Sequence, residues 1–414
     1  MKVRQTACAY EKRQDARGVL RLGDSCAMDF SRYWGKVACV YLDPPYMTGD
    51  RMVMRQRVGR EGWSGGKRHI DLPAYDDVWE SRAQYLEMVR GLVRQALLLL
   101  REDGALFVHV DPRVDAHVRL LLDELAGERN FVNQIVWAYQ SGGRAKNHFS
   151  RKHDTIFFYR KSPALRFDIT RVPLPRGENR QNHMKRTVDE NGRPCRTIRS
   201  GGKTYVYYDD DPVYPGDVWS DLSHLQQKDP QRTGYDTQKP VSLLSRVLLP
   251  VSEPDDWVAD LCAGSGTTGI AAAQCGRRFL LSDRGPVSLA VMRRRLISAR
   301  VPFDIDAPAC MDAADAAFEV YPGLGFDDVC LAGFVPPPGW PEGVAALDGI
   351  EQWSVGSLRD GVFHAVADAV RSRAEPDLPR VLQVPMNTPG MAVMIVDILG
   401  RRFCFSLEPE SGAE

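Results

Sequence analysis

Two short stretches of this chain hold residues whose types and spacing could do chemistry. The first is Asp43-Pro44-Pro45-Tyr46, which follows the apolar run "VACVYL". That run reads as a buried strand. Two consecutive prolines continue neither a sheet nor a helix, so they hold a stiff turn at the strand's carboxyl end. Open α/β sheets place their ligands there. A carboxylate and an aromatic ring held rigidly at such a point can hydrogen-bond to, and stack on, something planar. Taken alone, the tetrapeptide is equally readable as a plain strand-terminating turn.

The second stretch is "VADLCAGSGTTGIAAA". A strand ends at Asp260. Gly264 and Gly266 let the backbone turn tightly and approach a ligand, and a helix begins near Thr267 with free amides pointing outward. The pattern G-x-x-x-x-G-K-[ST] is missing and no lysine follows the glycines, which argues against a triphosphate. G-x-G-x-x-G is incomplete, because Gly269 falls at the wrong spacing. The next strand, "RRFLLSD", ends in Asp283, roughly twenty positions past the glycines, where a carboxylate can accept both hydroxyls of a ribose. An ordinary solvated strand end is the alternative for Asp283 alone; the glycines before it favour the ribose.

The elements that must position these residues follow from periodicity. Leu86, Val89, Leu92, Val93, Ala96, Leu97 and Leu100 recur at helical spacing. "EDGALFVHVDP", "NQIVWAY" and "HDTIFFYRK" read as strands, and after Gln238 helix and strand alternate again. Such alternation predicts an α/β fold, a doubly wound, mostly parallel sheet. Residues from Met47 to about Pro73, Gly-rich and basic, read as a mobile loop. The stretch 162–234 is polar, rich in Arg and Lys and broken by Gly and Pro, and reads as an inserted recognition region. Residues 301–414 read as a separate small α+β addition with a helix around "GVFHAVADAVRS". The expected units are 1–161, 162–234, 235–300 and 301–414.

Lys and Arg balance Asp and Glu at 54 each. The distribution is uneven: beyond residue 300 there are 6 basic and 18 acidic residues, which leaves 48 basic against 36 acidic before it. A basic body with an acidic appendage suits a polyanionic partner. Nine cysteines without a C-x-x-C pair indicate neither a disulfide framework nor a zinc site, and no metal is expected. No apolar run approaches membrane-spanning length and the amino terminus lacks a signal-peptide core, so a cytoplasmic protein with no membrane partner is expected.

"DPPY" together with "DLCAGSGTT" resembles the amino-methyltransferases of DNA that use S-adenosylmethionine. The order of the two motifs is similar to the circularly permuted β class, with a Rossmann-like sheet. "GDS", "GRAKNHFSRKHDTIFFYRKS", "DVWSDL" and "RTGYDTQKPVSLLSRVL" match further family pieces, and the resemblance covers about residues 18–300. Leu261-Cys262 stands where the family usually has Pro-Phe. Both pairs are apolar.

The resemblance implies a mechanism. Asp43 accepts one N–H of a target amine and the Pro44 carbonyl accepts the other, while Pro45 stiffens the turn and Tyr46 stacks on a base flipped out of the duplex. It places S-adenosylmethionine on the loop Asp260, Ala263, Gly264, Ser265, Gly266, Thr267 and Thr268, with Asp283 at the ribose, Asp24 near the adenine and Lys239 at the methionine carboxylate. Asp at the first motif position implies adenine N6; cytosine N4, RNA or a small molecule are the alternatives. Contacts to double-stranded DNA are expected from Arg51, Arg55, Arg57, Arg60, Lys67 and Arg68, and from Arg144, Lys146, Arg151 and Lys152. A homodimer and a restriction subunit are the further partners implied, and the carboxyl terminus is faintly similar to type III modification subunits. His153 and Asp154 read as structural.

Overall fold

The computed structural model describes residues 1–139, 145–175, 185–226 and 228–408. Five strands form its parallel core, in the order Gly18–Leu22, Arg278–Asp283, Trp257–Asp260, Val37–Leu42 and Leu100–Val110. His153–Arg160 and Phe131–Ala138 extend it antiparallel to their neighbours. Val37–Leu42 is buried along its whole length, as a strand covered on both faces must be.

Helices cover the two faces. Arg82–Leu99 places Tyr85, Val89, Leu92, Val93, Ala96 and Leu99 against one face together with Leu106 and Val108. Val241–Leu248, Thr267–Gln274 and Pro286–Ser298 pack on the other, around Phe279, Leu281 and Tyr41. The chain leaves Val37–Leu42 through the first face and moves towards Leu100–Val110. It leaves Trp257–Asp260 through the second face and moves the opposite way, to Arg278–Asp283. The carboxyl ends of these two adjacent strands therefore open a crevice at a topological switch point.

The carboxyl-terminal region differs from the expectation. Residues 301–408 contain no helix; they are strands. Ile350–Arg359, Val362–Val370, Met391–Asp397 and Arg402–Glu408 continue the central sheet, joined to it through Tyr10–Lys12 and Asp304–Asp306. A second sheet of Asp315–Pro322, Phe326–Val335 and Val381–Pro385 packs on them around Trp353, Phe403 and Phe405. The segment expected to be helical is Val362–Val370, because Asp360-Gly361 makes a two-residue hairpin with φ of 50° and 75° and pairs Arg359 with Val362. Nor is this region separate. Lys2–Thr6 pairs with Arg402–Glu408, so the chain's first strand lies with its last.

The expected mobile loop is also ordered. Arg51–Arg57 and His69–Asp76 form an antiparallel hairpin closed by the short helix Gly59–Trp63. Its alternation was masked because one inward position is Gln56, which is 1% exposed. Residues 185–208 form a small sheet of their own, Lys185–Val188, Pro194–Ser200 and Lys203–Tyr208. No helix among the described residues is long and apolar enough to cross a membrane.

Candidate active site

The crevice at the switch point is lined by Asp24, Asp43, Pro44, Pro45, Tyr46 and Lys239, and by the loop residues Asp260, Ala263, Gly264, Ser265, Thr267, Thr268 and Asp283. Residues more than two hundred positions apart thus share one wall. Gly266 alone of the expected loop residues does not line it. It starts the following helix at φ 75°, and a Cβ there would sit 2.6 Å from Met292.

Asp43 leaves the strand with both carboxylate oxygens engaged. The Tyr46 hydroxyl donates to Oδ1, and the Lys239 ammonium donates to Oδ2 at 2.6 Å. The same ammonium lies 3.0 Å from the Tyr46 hydroxyl. Lys239, expected at the methionine carboxylate, meets the Asp-Pro-Pro-Tyr turn in this crevice. The reason is local: Pro240 starts a helix, and Thr267 donates to the Lys239 carbonyl at 3.1 Å, which fixes the backbone and aims the side chain across the cleft. Burial and the Asp43 charge push the Tyr46 phenol well above its ordinary value, so it remains a donor.

Asp77 and His109, which sequence reasoning missed, hold this turn. The buried Asp77 carboxylate accepts from the amides of Tyr46, Met47 and Thr48 at 3.1, 2.8 and 2.9 Å, and from the Thr48 hydroxyl and the Trp79 indole. Met47 takes the left-handed φ of 57° that this curl requires. Behind Tyr46, His109 is buried and stacks near-parallel to its ring, with centroids 6.1 Å apart. The Tyr41 hydroxyl meets His109 Nδ1 at 2.7 Å, and His109 Nε2 meets Asp154 at 3.0 Å, which also accepts from Tyr139. Burial opposes a charge on Asp154, yet the His109 hydrogen bond holds its carboxyl below the usual range. A signal for this network was present: a lone histidine in the apolar run "LFVHV" must be hydrogen-bonded once buried.

The glycine loop is shaped from within. Asp260 accepts from the Cys262 amide at 3.0 Å and the Thr268 hydroxyl at 2.5 Å. Burial pushes its carboxyl up to about 7 against those bonds. Asp283 accepts from the Gly264 amide at 2.8 Å and the Gly285 amide at 2.9 Å, and burial raises its carboxyl too. Arg295 reaches the Ser265 carbonyl at 2.7 Å and the Thr267 hydroxyl at 3.0 Å. Gly264 has φ 49°, and the Tyr235 ring lies 3.3 Å from where its Cβ would be. Asp24 caps its own turn through the Cys26 amide at 2.9 Å. Trp79, Met88, Leu92, Leu261 and Cys262 make the rest of the wall largely apolar.

The basic residues are less uniform than expected. Arg68 is half-buried on Asp348, Arg60 pairs with Asp377, and Arg55 and Arg51 make exposed pairs with Asp71 and Asp76. Arg57 lies over Trp63, and Lys67 is exposed. Lys146 and Arg151 are exposed and Lys152 half-buried on the link between two strands, while Arg144 lies outside the described residues. Among the described residues no group of three His, Cys, Asp or Glu side chains gathers as metal ligands do.

Residues 37–290 match the family described as DNA methylase. The type II methyltransferase M.EcaI of Enterobacter cloacae is 24% identical over 313 residues, 64% of this chain and 66% of that protein. The DNA adenine methyltransferase YhdJ of Escherichia coli is 26% identical over 204 residues, 47% of this chain and 61% of that protein. The chain thus spans just under two thirds of these two curated relatives. Among solved structures, the cytosine-N4-specific PvuII DNA methyltransferase aligns at a TM-score of 0.45 and 15% identity, over 68% of this chain and 88% of that one. The fold therefore rests on the strand order above. The matched span covers more than half of the 414 residues and holds both the Asp-Pro-Pro-Tyr turn and the glycine loop: the chain belongs to the DNA methylase family.

Proposed function

We propose that this chain methylates DNA at adenine N6, with S-adenosylmethionine as methyl donor. The observation that carries the reading is the meeting of the Asp43 turn and the Gly264 loop in one crevice at the sheet's switch point. The donor set suits that cofactor. Asp24 and Asp283 offer carboxylates to a nucleoside, left-handed Gly264 leaves the loop backbone open to close approach, and the apolar wall suits an aromatic ring. Asp24, Ala263, Gly264, Ser265, Thr267 and Asp283 would hold it, while Asp260, Gly266 and Thr268 keep the loop in shape. S-adenosylmethionine supplies an electrophilic methyl group on a sulfonium.

The protein's part is positioning. An exocyclic amine is a poor nucleophile because its lone pair is delocalised into the base. Asp43 and the Pro44 carbonyl accept its two N–H bonds and draw the nitrogen towards tetrahedral geometry. Asp43 has lone pairs beyond those used by Tyr46 and Lys239, so it can accept a further donor. The Tyr46 ring offers a stacking face. The Pro-Pro pair and Asp77 keep the turn from moving, which suits a rate set by alignment and electrostatics.

In this reading residues 18–300 are the permuted methyltransferase body: Gly18–Leu22 lies parallel beside Arg278–Asp283, as it would if the helix Pro286–Ser298 once led into it. Residues 162–234 recognise the target. In the small sheet, Arg186, Arg196 and Tyr207 lie on one face with Ile198, Tyr205 and Lys203, by pairing and the alternation of strand side chains. Tyr205 and Tyr207 are exposed there, among basic residues suited to phosphate. Double-stranded DNA is the substrate, and a homodimer or a restriction subunit are the protein partners.

The test is modification-sensitive long-read sequencing of DNA from cells expressing the wild type or Asp43→Ala. One adenine-containing motif modified only with the wild type is the expected result. Modified cytosines would overturn the choice of base, and an unmodified genome the reaction itself.

A further inference from the structure

The hairpin Arg51–Arg57/His69–Asp76 connects two parts of the molecule that the sequence keeps far apart. At its open end Tyr75 and Asp76 line the crevice, and Asp77 follows directly, holding the amides of Tyr46, Met47 and Thr48. At its closed end it touches the acidic carboxyl-terminal sandwich. Arg68 donates to the Asp348 carboxylate at 2.8 Å and to the Gly343 carbonyl at 3.1 Å, and the Gly59 amide donates to the Asp348 carbonyl at 3.2 Å. A Cβ on Gly59 would lie 2.7 Å from that carboxylate, so the fit is close. Gln56 donates to the buried Glu351 at 2.9 Å, and Glu351 also takes Arg294 from the helix after Asp283. The guanidinium groups of Arg57 and Arg294 each lie 4.8 Å from the Trp63 ring centroid.

We infer that Asp348 and Glu351 are positioning residues for the active site, acting through this hairpin on the Asp43–Tyr46 turn. A strand of seven residues spans about 23 Å, so the sandwich reaches a site it does not itself line. Between its ends the hairpin packs on two further neighbours: the Arg55 amide donates to the Gly234 carbonyl at 3.0 Å and Met54 bridges Tyr235, while Met54 and Leu72 cluster with Val287 and Val291 of the helix Pro286–Ser298. Clasping the closed end adds to that packing and limits how far the open end can lift from the crevice. This gives the acidic appendage a use within the chain: part of its charge meets basic side chains of the hairpin. The inference rests on the proposed function only in calling the crevice a methyl-transfer site.

The experiment uses the full chain with charge reversals at the half-exposed pair, Arg68→Asp, Asp348→Arg and both together. Amide hydrogen exchange at residues 46–48 and 69–77 is measured without ligand or DNA. Binding of S-adenosylhomocysteine is measured by calorimetry, and KM and kcat by methyl transfer. Each single reversal should speed exchange in those two segments tenfold or more, weaken S-adenosylhomocysteine binding at least threefold and raise the KM for S-adenosylmethionine by a similar factor, with the melting temperature little changed. The double reversal should restore both. Unchanged exchange in the single variants, or no restoration in the double, overturns the inference. If a reversal does not fold, Arg68→Ala and Asp348→Asn are read the same way. Exchange that responds as expected while even the wild type fails to bind the nucleoside would support the positioning role and refute the reading of the crevice.

Discussion

Lys239 places its ammonium 2.6 Å from Asp43 Oδ2, across 196 positions of sequence. It lies 5.1 Å above the Tyr46 ring as well. A cation on that carboxylate sets how strongly Asp43 attracts a further donor. Lys239→Met is expected to lower turnover tenfold or more while changing the dissociation constant of S-adenosylhomocysteine less than threefold. Single-turnover rates and calorimetry measure the two. The reverse split would return Lys239 to the methionine carboxylate.

Asp77 is expected to matter as much as residues that face the cleft. Its carboxylate satisfies three consecutive half-buried amides, and removing it leaves them unpaired at a cost of about 1–3 kcal/mol each if water does not enter. Asp77→Ala should reduce methyl transfer by about a hundredfold, with a smaller loss for Asp77→Asn, which keeps an acceptor oxygen. Initial rates at saturating DNA, beside circular dichroism, test this.

Asp260 gives a pH dependence of known sign. Burial raises its folded value to about 7, above that of an unfolded aspartate near 3.9. Its contribution is then fully present below the unfolded value and is lost as pH rises through about 7. The stability of the wild type minus that of Asp260→Asn should therefore fall between pH 4 and 7, by up to about 1.4 kcal/mol per pH unit, and level off above. Urea denaturation of both chains at pH 5, 6, 7 and 8 reads the difference.

Gly35 and Gly266 separate backbone strain from crowding. Both have left-handed φ, 64° and 75°, but a Cβ on Gly35 meets open space and one on Gly266 meets Met292 at 2.6 Å. Gly35→Ala should cost about 1 kcal/mol and Gly266→Ala about 2–4 kcal/mol. Thermal melts of the two variants give the comparison.

Much of the body was legible because its signals are local. An apolar run before two prolines, a glycine loop between strand and helix, and helical spacing from Leu86 to Leu100 each report on a few neighbouring residues. The helix expected around Val362–Val370 failed because its apolar spacing suits either period, and the Asp360-Gly361 turn that decides for a hairpin was passed over. The hairpin at 51–76 reads as a loop in the sequence because its buried face includes Gln56, whose partner Glu351 lies nearly three hundred positions away. Lys239 was legible as a site residue, but its contact with Asp43 was not, since the direction of a long side chain is set by what surrounds it.

By itself the sequence determined the two chemical motifs, the strands that carry them and the family to which they belong, because backbone propensity and turn chemistry act over a few residues. Only the tertiary structure decided that Lys239 meets Asp43, that Asp77 holds the Tyr46 turn, and that an acidic sandwich clasps the far end of the active-site hairpin. Those are contacts between side chains that the sequence separates. A charge or a backbone amide finds its partner through the packing of the whole chain, and no local pattern records which partner that is.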